Sequence, residues 1–189
     1  TPLSRLSQGL NAARAPAGSS AEYERAMDRA IAESEGILET FGALLRIAQI
    51  EAGSRRAGFR AIDFAEIVTT VVEALEPVAE DQQHLLRAEL PAPGADLPQG
   101  IGDRELLVQM LVNLVENALR HTPAGCAVAA SLMRMGGAVE LSVADNGPGV
   151  PAAERSRILD RFYRCDTSRT TSGSGLGLSL VAAVAELHQ

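Results

Sequence analysis

Asn113-Leu114-Val115-Glu116-Asn117-Ala118-Leu119-Arg120-His121 ends the strongest helical pattern in the chain. Asp103 is a good cap for it, and Leu107, Leu111, Leu114 and Ala118 recur at three- and four-residue spacings. The segment therefore predicts a helix over 103–121 with one apolar face. Asn113, Asn117, Arg120 and His121 fall together on the opposite side. Asparagine disfavours helix interiors because its amide competes for backbone hydrogen bonds, so two of them in mid-helix need some reason. Amide oxygens are hard, neutral ligands, suited to Mg²⁺ that keeps its waters and bridges phosphates. Arg120 is a candidate for neutralising phosphate charge. A polar, solvated helix face would carry the same residues, so this stretch alone leaves both readings open.

Outward from this helix the pattern alternates between helices and strands. Two strands follow, over 127–133 and 138–145, turning at Gly136-Gly137. In the second, Val139, Leu141 and Val143 alternate with Glu140 and Ser142. That period puts Asp145 on the inward, desolvated side, where a carboxylate needs a partner. Upstream lie a helix over 64–79, a strand over 84–90 and a Pro/Gly-rich loop running to Gly102; a last helix starts near Leu178. Helices mixed with strands and a hairpin point to an α/β sandwich rather than a parallel Rossmann sheet. Ahead of it, residues 53–63 read as a linker.

The first 52 residues carry a different pattern. Leu3, Leu6, Leu10 and Ala13 mark one helix, and Ala15-Pro16-Ala17-Gly18-Ser19-Ser20 breaks it. A second helix runs from Ala21 to about Ile50, with Met27, Ala30, Ile31, Ile37, Leu38, Phe41, Leu44, Leu45 and Ala48 as its apolar stripe. Such a helix spans about 45 Å and cannot cover its own stripe. A helical hairpin that dimerises into a four-helix bundle would cover it, as would packing on the rest of the chain. The expected class is thus α+β: a helical hairpin over 1–52, a linker over 53–63 and an α/β sandwich over 64–189.

Composition excludes several chemistries. All 17 basic residues are Arg, which rules out a Walker-type phosphate loop, the ordinary Ser/Thr/Tyr kinase lysine and a Schiff base. A net charge of −7 does not favour nucleic acid. Cys126 and Cys165 lack the spacing of a zinc site or redox pair and read as reduced thiols. The longest uncharged run, 170–185, is short for a membrane span and is broken by Gly and Ser. Opening on Thr1-Pro2-Leu3 without Met, the chain reads as a fragment.

Three more motifs follow in order. Asp145-Asn146-Gly147-Pro148-Gly149 is by itself a plain turn, but an inward carboxylate beside glycines suits an amino donor such as the adenine amine. Arg161-Phe162-Tyr163-Arg164 lies within 155–169, where five of the 17 arginines fall. This basic stretch fits a bound anion, with Phe162 and Tyr163 expected as anchors. A solvated loop paired to Glu154, Asp160 and Asp166 is the plain alternative. Gly173-Ser174-Gly175-Leu176-Gly177-Leu178 opens a helix, whose first N–H groups bind phosphate well. No strand precedes it, so it matches a dinucleotide fingerprint poorly.

In order, spacing and context the four motifs resemble the asparagine box, first glycine box, phenylalanine box and second glycine box of bacterial sensor histidine kinases. Their catalytic ATP-binding domain belongs to a superfamily with gyrase B-type enzymes and heat-shock chaperones. The resemblance covers about 64–189, and Thr1-Pro2-Leu3 with the two following helices looks like the family's dimerisation hairpin. It implies a mixed sheet covered on one face by helices, ATP with Mg²⁺ under a mobile lid, a homodimer, and a response regulator receiver domain as partner. By the resemblance Asn117 would hold Mg²⁺ with Asn113 beside it. An Asn at 113, where gyrase-type relatives carry a water-activating Glu, fits transfer to histidine rather than hydrolysis. Arg120 and Arg164 would contact phosphates, His121 would lie near the nucleotide, and Asp145 would accept from the adenine amine. Gly147, Gly149, Gly173, Gly175, Leu176 and Gly177 would shape the pocket and lid. Thr1 matches the position that orients water when such proteins dephosphorylate their partner.

The same resemblance places the phospho-accepting His four residues before Thr1 and the final strands after Gln189, both outside this chain. The expectation is a truncated cytoplasmic core whose parent, anchored in the inner membrane by its upstream part, phosphorylates its own His and then a regulator Asp. A non-catalytic dimerisation and nucleotide-binding module is the competing reading.

Overall fold

The computed structural model describes residue 7 and residues 19–53, 56–92, 100–165 and 173–189. Thr1 and the apolar positions of the expected first helix lie outside the described residues. Helix α1 (Ser20–Glu51) is entered through Ser19, whose N–H donates to Glu22 Oε2 at 2.7 Å. Its expected stripe stays uncovered: Met27 is 66% exposed, Leu38 71% and Phe41 63%. A different face, Ala43, Ile47 and Ile50, is buried at the C-terminal end, where α1 meets the last helix.

Beyond it come strand β1 (Arg60–Ile62), helix α2 (Phe64–Asp81), strands β2 (Leu85–Glu89) and β3 (Gly100–Gly102), and helix α3 (Arg104–His121). Strands β4 (Ala127–Met135) and β5 (Ala138–Asp145) and helix α4 (Gly177–Leu187) follow. Both central helices start on an aspartate. Asp63 accepts from Ala65 N–H at 2.9 Å and Glu66 N–H at 3.1 Å, and Asp103 accepts from Leu106 N–H at 3.2 Å.

The sheet has the order β2-β4-β5, with β2 parallel and β5 antiparallel to β4. It is therefore mixed. Val128 and Ala130 are wholly buried and Leu132 is 1% exposed, all on the face that α2 and α3 cover. Period-2 alternation thus turns one face of β4 into the core. Helix α4 packs outside α3 through Leu180, Val184 and Leu187. Each such buried aliphatic contributes about 1.5–3 kcal/mol.

β1 and β3 form a separate antiparallel pair in segments that read as linker and loop. Each has three residues, and two of the three in β3 are Gly, so no alternation marks them. His188 ties this corner together. Its ring stacks on Phe59 at 4.8 Å, its Nε2 accepts from Asp103 N–H at 3.0 Å, and its Nδ1–H faces the Val184 carbonyl at 2.8 Å. The end of α4 is thereby fastened to the start of α3.

Candidate functional site

A cleft opens between α3, the end of β5, the loop over 146–165 and the start of α4. Its helical wall consists of Asn113, Glu116, Asn117, Arg120 and His121. Those side chains stand opposite Leu107, Leu111 and Val115, which are buried, while buried Ala118 also borders the cleft. Val115 takes the core place expected for Leu114, which is half-buried. Gln109 Nε2 reaches Asn113 Oδ1 at 3.4 Å, one turn along. The polar face is therefore mounted on a packed core rather than merely solvated.

Asp145 lines the cleft but is exposed, not desolvated as its strand period predicts. It is the last residue of β5, and the chain leaves the sheet there. Its Oδ1 accepts from Gly147 N–H at 2.9 Å, which orients the carboxylate. Gly147 itself stands behind the wall: a Cβ there would meet Thr122 Cγ2 at 2.5 Å, so only Gly fits. Thr122 caps α3, and its hydroxyl donates to the Ala118 carbonyl at 2.8 Å. That hydroxyl lies 2.9 Å from Nε2 of buried His84, which therefore carries the proton and donates.

The loop wall departs further from expectation. Phe162 is not an anchor: it is 57% exposed, with φ at +63°. Its backbone, not its ring, does the fastening, because its N–H donates to the Gly175 carbonyl at 2.9 Å. Half-buried Tyr163 is the aromatic that packs, under the Arg157 guanidinium at 4.3 Å. Arg161 pairs with Glu51 of α1 rather than with its sequence neighbours. Arg164 Nη1 donates to the Gly173 carbonyl at 3.1 Å, and a Cβ on Gly173 would lie 3.2 Å from Arg120 Nη1. Two guanidiniums therefore bracket Gly173. Burial, then the positive charges of Arg120 and Arg164, hold the His121 pKa below its ordinary 6.5.

Helix α4 begins beside them. Its N-cap is Leu176, which offers no side-chain acceptor to the first N–H groups. The Leu176 side chain is fully buried and away from the cleft, whereas Gly149, Gly173, Gly175 and Gly177 line it. The structure thus gathers the expected polar residues into one cleft, sets Gly147 and Leu176 behind it, and leaves Thr1 outside the described residues. Sequence reasoning missed Glu39, Glu116, Thr122, Ile158 and Leu178. Glu116 was findable, being three residues from Asn113 on the same face. Glu39 was not, since it depends on how α1 docks.

Comparison with known proteins decides the family. Residues 102–189 match the family described as Histidine kinase-, DNA gyrase B-, and HSP90-like ATPase. The whole chain is 32% identical over 190 residues to the sensor-like histidine kinase SenX3 of Mycolicibacterium smegmatis, covering 48% of that protein. Residues 102–189 are an ATPase domain of that family, and the chain is similar along its whole length to sensor histidine kinases. A second relative, the sensor protein SphS of Synechococcus elongatus, is 33% identical over 172 residues, with 86% of this chain and 41% of that protein covered. The chain spans about half the length of these relatives, 48% of SenX3.

Solved kinases share the fold. Full-length ShkA, in complex with AMPPNP, matches with a TM-score of 0.73 at 26% identity over 97% of this chain and 38% of that one. The histidine kinase AdeS of Acinetobacter baumannii matches in fold with a TM-score of 0.67 at 20% identity, over 99% of this chain and 84% of that one. The donor set suits the Mg²⁺ that the resemblance of the four motifs implies. No group of three His, Cys, Asp or Glu side chains that could hold a metal occurs among the described residues. Neutral amides on one face suit an ion that keeps its waters and leans on phosphate oxygens.

Proposed function

We propose that this cleft binds Mg²⁺-ATP. The observation that carries this reading is the convergence of three anion- and metal-seeking features: the Asn113/Asn117 face, the guanidiniums at Gly173, and the uncapped start of α4. Asn117 would hold Mg²⁺ with Asn113 beside it; when bound, the ion supplies charge neutralisation at the phosphates. Arg120, Arg164 and the α4 N–H groups take the remaining phosphate charge, with His121 beside them. Asp145, its carboxylate set by Gly147, accepts from the adenine amine. Gly149, Gly173, Gly175 and Gly177 give the backbone room beside the nucleotide.

In the whole protein the γ-phosphate passes to a histidine of the kinase and then to an aspartate of a response regulator receiver domain. The chemistry is positioning plus charge neutralisation. The uncovered stripe of α1 supports a homodimer closing on it. Thr1 would orient water in the reverse, phosphatase step. No helix among the described residues is long and apolar enough to cross a membrane. The reading places this part in the cytoplasm and any membrane anchor elsewhere in the parent.

Asn117→Ala tests the site. Titration with a fluorescent ATP analogue, with and without Mg²⁺, is expected to show at least a ten-fold loss of the Mg²⁺-dependent part of affinity, about 1.4 kcal/mol. An unchanged Mg²⁺ dependence in the variant would remove Asn117 from the metal.

A further inference from the structure

Glu39 reaches the cleft from outside the ATP-binding domain. It is the one α1 residue among those described that lines it, in the same cleft as Asn113, Glu116 and Asn117 of α3. Its place follows from helix geometry. Glu39, Ala43, Ile47 and Ile50 lie four, four and three residues apart, on one face. That is the face by which α1 docks: Ile47 is 1% and Ile50 6% exposed. The docked position is also held by the Arg161–Glu51 ion pair. Among the described residues Glu39 makes no hydrogen bond or ion pair, so its carboxylate is available to whatever enters.

The charges already in the cleft decide what that carboxylate does. Arg120 and Arg164 are matched by Glu116 and Asp145, and His121 is held towards its neutral form. Among the described lining residues, Glu39 tips the walls to net negative while α1 is docked. A metal-free triphosphate is a polyanion and is repelled. Mg²⁺ removes two of its charges and presents a cation to the same carboxylate. Resting on the nucleotide reading above, we propose that Glu39, brought in by docked α1, makes the cleft select metal-bound over metal-free nucleotide. By reciprocity, metal-free nucleotide loosens the docking of α1, and Mg²⁺-nucleotide does not.

The test is a set of dissociation constants for ATP in excess Mg²⁺ and in EDTA. They are measured calorimetrically for the chain, Glu39→Gln, Arg161→Glu and the double variant. Two charges a few ångströms from a carboxylate, screened at physiological salt, are worth about three-fold in affinity. The ratio of metal-free to Mg²⁺ dissociation constants is expected to fall about three-fold in Glu39→Gln, through tighter metal-free binding. Arg161→Glu, which sets two carboxylates against each other at the docking contact, is expected to lower it too. In that background Glu39→Gln then changes nothing further. An identical ratio in the chain and Glu39→Gln would overturn the proposal. So would a Glu39 effect that survives Arg161→Glu, because it would not depend on docking. Failure of ATP to bind in either condition is a different result, and it would overturn the nucleotide reading itself.

Discussion

The two walls of the cleft hold their polar groups by different means. On the helical wall, Asn113 and Asn117 ride on α3, whose back carries Leu111 and Val115, both wholly buried. Their positions are as rigid as the core. On the loop wall, Leu159 is 51% and Phe162 57% exposed. Much of what holds that wall is polar: Phe162 N–H to the Gly175 carbonyl at 2.9 Å, Arg155 Nε to the Val150 carbonyl at 2.9 Å, Arg164 to the Gly173 carbonyl, and the Arg161–Glu51 pair, beside the packing of Tyr163 under Arg157. Exposed polar links are individually weak, so this wall opens at lower free energy than global unfolding. On the proposed reading, the amides that would hold the metal are pre-set by the packed helix, whereas Arg164 and Gly173, expected near the phosphates, sit on the wall that opens more easily.

The largest expected effect breaks the rigid side. Leu111→Ala empties a fully buried position behind Asn113. The expected loss is about 2–5 kcal/mol of global stability in denaturant unfolding, because the packed core closes only partly on the cavity. A loss under about 1 kcal/mol would mean that the helical wall is not core-mounted, and the contrast between the walls would collapse.

A smaller effect isolates the loop wall. Gly175 has φ at +70°, and a Cβ on it would come 2.9 Å from the Phe162 carbonyl carbon. Gly175→Ala therefore adds strain of about 1–3 kcal/mol and pushes residue 162 away. Nucleotide affinity is expected to fall about ten-fold. The unfolding midpoint is expected to move less than it does in Leu111→Ala, since the strained segment can relax without opening the core. Equal shifts in the two variants would show that both walls unfold as one unit.

The same contrast explains what could be read from the sequence. The helical wall is legible because burial imposes a 3.6-residue period. The Asp103 cap and the Leu107–Ala118 spacing locate α3 (Arg104–His121), including which face carries the asparagines. The hairpin of β4 and β5 is equally clear, turning at Gly136-Gly137. Asp145 shows where the rule stops: alternation predicts direction but not that helical cover ends before the strand does. Phe162 is misread because aromatic residues are expected inside, while its left-handed backbone turns the ring outward. The β1–β3 pair is too short to carry a period. Glu39 has no local signal, since its role depends on a contact between α1 and residues more than a hundred positions away, such as the Glu51–Arg161 pair.

The smallest expected effect probes the point where the two walls meet. His121 stands on α3, and its pKa is lowered first by burial, then by Arg120 on its own helix and Arg164 on the loop wall. In the unfolded chain the imidazole takes up a proton near its ordinary 6.5; in the folded chain it does so only at lower pH. Between those values the unfolded state binds more protons, so stability rises with pH there. The neutral His121 is tolerated without loss above about 6.5, and stability falls as pH drops below it, levelling off once the folded state also protonates. Because the His121 ring is only partly covered and the residue keeps much of its surface in solvent, that solvent screens much of this and the slope is shallow. Denaturant unfolding of the nucleotide-free chain and of His121→Asn, from pH 7.5 to 5.5, reads the effect as a difference. The chain is expected to lose more stability over that range than the variant. Arg164→Gln is expected to recover part of the loss, since it removes the one of the two cations that the loop wall contributes. Parallel pH profiles for the chain and His121→Asn would mean that the guanidiniums do not act on the imidazole. The two walls would then not converge on a shared positive field around Gly173.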